Sequence, residues 1–125
     1  MSADWIALTK EAGLVVENES IRVDFRNERH QLVHVDDRAN DFFRLWSVVA
    51  KPSIVEELGD ALLRGWRRNR LTELVGFRLD GRRRMIGEVC VPTAGLTADE
   101  WGFTVRYVAK VCDGFEYVLT GRDVQ

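Results

Sequence analysis

Between Ile21 and Ala50 three successive segments place apolar residues at every second position, a period that only extended chain can use. In IRVDF, Ile21, Val23 and Phe25 alternate with Arg22 and Asp24. In QLVHVD, Val33 and Val35 share one face while Leu32, His34 and Asp36 share the other. The polar stretches RNERH and DRAND separate the segments as turns do. The third segment, FFRLWSVVA, is apolar on both rows: Phe43, Leu45, Ser47 and Val49 on one, Phe42, Arg44, Trp46 and Val48 on the other. Such a strand lies between two layers or turns one face to a partner, and Arg44 argues that the second row is not sealed. Phe42, Arg44, Trp46 and Val48 are therefore the candidate partner-binding residues. Trp46 leads them, because tryptophan is enriched at the centres of interfaces.

Helical periods frame these strands. From Ser2 to about Gly13, Trp5, Leu8 and Ala12 form one apolar stripe. Pro52 ends the third strand, and Ser53 with Glu56 has the capping-box spacing that opens a helix carrying Ile54, Leu58, Ala61, Leu62 and Trp66. Asp80-Gly81 joins ELVGFRLD to RMIGEVCVP as a hairpin. Thr97 with Glu100 is a second capping box, followed by the stripe Trp101, Val105, Val108, Cys112 and Phe115. The expected order is α-β-β-β-α-β-β-α. It predicts an α+β fold with a five-stranded antiparallel sheet and helices packed on it. With 125 residues, 46% of them hydrophobic, residues 1–125 suit a single domain with one core.

No catalytic, metal or cofactor site emerges from the residue pattern. His30, His34 and Asp36 point to one side of an extended strand and could converge on a metal or serve a small enzyme with an unfamiliar site. Histidines two pleats apart are too distant for most single-metal chelation, and two solvated histidines is the favoured reading. Cys90 and Cys112 lack metal-type spacing and a nearby base, so both read as reduced, buried small hydrophobes. Glu17, Glu19, Asp36, Asp37 and Asp41 flank strands and turns without forming a recognisable pair. Arg64, Arg67, Arg68 and Arg70, together with Arg82, Arg83 and Arg84, could grip an anion or a phosphate backbone with Trp66 as a stacking surface. The formal net charge of −2 stands against nucleic acid and against an anionic membrane. The opening MSADWIALTKEAG lacks a basic leader region, and its Asp4, Lys10 and Glu11 interrupt the apolar stretch, which sets the expectation of a cytoplasmic protein.

The stretches LWSVVAKP (Leu45 to Pro52), ELVGFRLD…RMIGEVCVPTAGLTADEW (Glu73 to Trp101) and VCDGFEYVLTGRD (Val111 to Asp123) resemble the YbjN-like bacterial proteins. These are grouped with the type III secretion chaperone-like fold, and the likeness runs from about Val15 onward. It implies the same element order. It also implies a role in binding proteins, since secretion chaperones are dimers that hold extended client segments on hydrophobic patches, while regulatory or stress-related roles are suggested for YbjN-like proteins. The resemblance supplies no catalytic or ligand residues. The expectation is a non-enzymatic, homodimeric protein-binding module, chaperone-like or regulatory, without a cofactor.

Overall fold

The computed structural model describes residues 4–26, 28–39 and 41–120. The elements run α1 (Trp5–Glu11), β1 (Val15–Glu17), β2 (Ser20–Asp24), β3 (His30–Asp36), β4 (Phe42–Ala50), α2 (Pro52–Leu58), α3 (Ala61–Asn69), β5 (Gly76–Leu79), β6 (Met85–Pro92) and α4 (Ala98–Thr120). One antiparallel sheet orders the strands β1-β2-β3-β4-β6-β5. The two-faced segment is β4, at the centre, paired with β3 on one side and β6 on the other.

Three sequence expectations need correction. The sheet has six strands, not five, because Val15–Glu17 folds back on β2. Three residues are too few to display a period, and the turn is made by Asn18 (φ 49°) and Glu19 (φ 65°), which lack the glycine that usually announces a primed turn. The second helical region is two helices. Gly59 takes a left-handed φ of 74° at the C-cap of α2, and the chain restarts at Ala61. The Ser53–Glu56 capping box is unused: Lys51 takes the N-cap and α2 begins at Pro52, whose fixed φ suits the first helical position.

The second capping box forms as expected. Glu100 N–H donates to Thr97 Oγ1 (3.2 Å), and Thr97 N–H donates to Glu100 Oε1 (2.9 Å). The helix behind it, α4, lies across the inner face of β2, β3, β4 and β6. It buries Trp101, Val105, Val108, Cys112, Phe115 and Leu119 against Val33, Leu45, Val49 and Phe77. Trp101 meets Phe43 edge-on and donates its indole N–H to Thr9 Oγ1 (2.8 Å), which ties α1 to α4 through a buried polar bond. The predicted α1 stripe holds for Trp5 and Leu8, while Ser2 lies outside the described residues.

The ladder between β3 and β4 stops at His34 and Trp46. Beyond it, buried side chains take over: Gln31 Nε2 donates to Ser47 Oγ and to the Val48 carbonyl, and Ser47 Oγ donates to the Leu32 carbonyl. Backbone groups that would otherwise be orphaned in the core are thereby satisfied. At the opposite edge Asn69, the last residue of α3, donates to the Phe77 carbonyl and accepts from its N–H, so the outward-facing backbone of β5 is occupied.

Candidate protein-interaction surfaces

Strand alternation sends Phe42, Arg44, Trp46 and Val48 to the face opposite α4, while Phe43, Leu45, Ser47 and Val49 are buried beneath it. Register then decides what surrounds Trp46. Its cross-strand partners are His34 on β3 and Glu88 on β6. The His34 ring stacks on the indole with centroids 4.2 Å apart, and the guanidiniums of Arg44 and Arg84 approach the ring at 5.9 and 5.1 Å.

Each charge around the ring is held. Glu88 accepts from Arg44 Nε (2.7 Å) and Arg78 Nε (2.5 Å), while Arg84 pairs with Asp80 (2.8 Å). Burial works against the charged form of Glu88, but the two arginines outweigh it and hold its pKa below the ordinary value. His34 accepts or donates one bond at Nδ1, to Ser20 Oγ (2.7 Å). Burial first, and then Arg84, push its pKa down, which favours the neutral ring where it stacks. The result is a preorganised aromatic and guanidinium platform, with Phe42 exposed at its end.

A second surface lies on α3. Its buried positions are Ala61 and Gly65, and its large apolar side chains point outward. Leu62, Leu63, Trp66, Leu71 and Leu74 are 45–82% exposed and succeed one another along α3 and the segment leading to β5. Arg70 lies over the Trp66 ring at 5.4 Å. A run of bare apolar groups of this kind is uncommon on a chain with nothing to bind. The sequence puts Leu62 and Trp66 at helical spacing with Ile54, Leu58 and Ala61, which does not say which side is bare, and Leu71 and Leu74 fall outside that pattern. The overlooked signal is Gly65 in mid-helix, which marks the side of α3 that approaches the sheet.

The other candidates are dispersed. His30 is exposed, His34 is stacked rather than solvated, and Asp36 is bonded to Arg38, whose hydrogen bonds lower the carboxyl to about 2. Among the described residues no three His, Cys, Asp or Glu side chains are grouped to hold a metal. Cys112 is buried, and burial pushes its thiol up to about 12; Cys90 is exposed, against expectation, because it falls on the outer row of β6. The arginine clusters do not merge. Arg68 is tucked under α3 against the Phe115 ring on the inner side, whereas Arg84 lies over Trp46 on the outer side. Among the described residues no helix is long and apolar enough to cross a membrane.

No family model matches the chain, and no curated protein matches it in sequence. Among solved structures it is similar to a chain in the crystal structure of the Yersinia pestis type III secretion chaperone SycH in complex with a stable fragment of YscM2. The TM-score is 0.52 at 10% identity, covering 83% of this chain and 92% of that one. The HopA1–SchA chaperone–effector complex is also similar, with a TM-score of 0.47 and 15% identity over 92% of this chain and 86% of that one. At 10% identity the SycH likeness concerns fold: an α+β domain with an antiparallel sheet and helices, as in a secretion chaperone.

Proposed function

We propose that this protein is a non-enzymatic, homodimeric protein-binding module of the chaperone-like or regulatory kind. Two copies associate through α3, and a partner segment lies on the outer sheet face at Phe42, Arg44, Trp46 and Val48. The observation that carries the reading is the set of five large apolar side chains left bare on α3 and the segment after it. The SycH structure, which holds a fragment of another protein, supports a binding role, and the YbjN-like stretches in the sequence suit a regulatory variant of it. The dense pairing around Trp46 suits recognition better than chemistry. Its carboxylates, Glu88 and Asp80, are both tied to arginines, and its imidazole is stacked on the indole.

Light scattering after size exclusion tests the dimer. The wild type is expected to elute as a dimer at micromolar concentration, and Leu62→Asp with Trp66→Asp as a folded monomer. A wild type that stays monomeric at several hundred micromolar removes the reading. Salt gives an independent arm. An apolar interface rimmed by Arg67 and Arg70 of both copies should hold or tighten as salt rises, since screening relieves like-charge repulsion. An arginine-driven phosphate binder would lose affinity steeply instead. On the sheet face, Trp46→Ala is expected to weaken capture of a client while leaving the dimer intact.

A further inference from the structure

A cavity of about 480 Å³ opens between the end of β4, α2 and the last turns of α4. Its lining joins apolar side chains, Val48, Val49, Ile54, Leu58 and Leu119 among them, to the polar groups of Lys51, Glu57, Thr120 and Glu116. Glu116 also borders a second, smaller concavity where β3 and β4 part, so it stands at the junction of the two. Among the described residues no hydrogen bond or ion pair holds its side chain, although the residue is half-buried. The nearby cation Arg29 is engaged instead with Asp113, at 2.6 Å. The cavity's size falls within the range of about 300–1,000 Å³ usual for small-ligand sites.

An unpaired carboxylate in an apolar wall recognises a positive charge on an apolar body, because such a ligand satisfies both parts of the lining together. We propose that this cavity binds a small organic ammonium ion, with its hydrocarbon part against Ile54, Leu58 and Leu119 and its N–H groups donating to Glu116. The cavity shares Val48 with the end of the outer row of β4, and its lining includes neither Trp46 nor any residue of α3.

Protonation of Glu116 sets the pH window. Burial, and then Asp113, raise its carboxyl to about 7, with Arg29 opposing. The other charged or titratable groups facing it are Lys51 and Glu57 across the cavity and His30 and His34 in the adjoining concavity. An ammonium ion binds the ionised form, so affinity rises with pH through about 7 and falls toward pH 5, where the proton holds the site. Linkage without ligand has the opposite direction. The raised carboxyl favours folding while protonated, and that contribution is lost as pH rises from the unfolded value through about 7.

Titration of isotope-labelled protein by NMR with hexylammonium, hexan-1-ol and hexanoate at pH 8 tests the proposal. The expected result is saturable shifts around Leu58 and Leu119, with hexylammonium roughly tenfold tighter than the alcohol, as befits a charge-assisted hydrogen bond. Glu116→Gln should erase that preference and leave alcohol binding alone, and Ile54→Trp should fill the cavity and abolish both. Equal binding of amine and alcohol, an unchanged preference in Glu116→Gln, or no saturation at tens of millimolar overturns it.

Discussion

Helices α3 and α4 both rest on the inner side of the sheet, yet they bury opposite kinds of residue. The seam of α4 holds Trp101, Val105, Val108, Cys112 and Phe115, and its exposed side is mixed. The seam of α3 holds Ala61 and Gly65, and its leucines and tryptophan face out. The difference follows from the space each helix finds. Across the middle of the sheet α4 meets small or flat neighbours, among them Gly87, where an added Cβ would stand 2.5 Å from Cys112 Sγ. Over β5 and β6, α3 meets Met85 and Phe77, which already fill the layer; a Cβ on Gly65 would lie 2.8 Å from Met85 Cε. Amphipathicity alone, then, does not say which side of a helix is core. The bulk already present on the sheet decides it.

The largest expected effect breaks the comparison at its two tryptophans. Trp101→Ala should cost about 3–5 kcal/mol, through the cavity left in the core and the loss of the bond to Thr9. Trp66→Ala should change the stability of the monomer by no more than about 0.5 kcal/mol, since the ring is bare there. Urea denaturation of both variants at dilute protein checks this, and similar costs at the two sites would show that Trp66 is buried by its own chain. Next in size is Gly87→Ala, expected to lose about 1–3 kcal/mol by overpacking against Cys112 and the Phe77 ring. Adding Cys112→Ala should recover part of that loss, because the two sites touch and their effects are not additive.

What could be read from the sequence divides along the same line. Strands β2, β3 and β4 and the start of α4 were legible because period-2 alternation and the Thr97–Glu100 box are local signals. The outer row of β4 was legible for the same reason, since alternation assigns sides without knowledge of what covers them. Strand β1 was not, because three residues and an Asn-Glu turn carry no period and no glycine. The burial of Cys90 was misjudged because parity on β6 depends on pairing with β4, a long-range fact. The exposure of Leu62 and Trp66 was illegible for a deeper reason: a helical stripe has the same spacing whether it meets the core or a partner, and only the occupancy of the layer beneath tells them apart. Glu116 escaped notice because its cavity joins α4 to the β4–α2 segment, which lies far from it in sequence.

A smaller effect is expected at the joint where α3 grips the sheet edge. Asn69→Ala removes both bonds to the Phe77 backbone and should cost about 1–2 kcal/mol. The Phe77 amide should then exchange more rapidly with solvent than neighbouring amides on β6. A freed edge strand is also a template for pairing with another chain, so the variant should self-associate more than the unaltered protein at high concentration. Unchanged exchange at Phe77 would mean that the helix, rather than the asparagine, protects β5.

The smallest effect is the most informative about why α3 is turned outward. Gly65→Ala improves helix propensity by up to about 1 kcal/mol, so in an open helix it would stabilise. Here the added methyl must displace the thioether end of Met85, a side chain with no exposed surface and little room to give. The two effects oppose each other, and the net is expected to be a loss of no more than about 1 kcal/mol. Shortening the obstacle should reverse the sign: Gly65→Ala with Met85→Val is expected to be more stable than Met85→Val alone, by thermal or urea midpoint. If Gly65→Ala stabilises the otherwise unaltered protein, the layer beneath α3 is not full. The outward leucines would then need another cause, such as a partner that selects them.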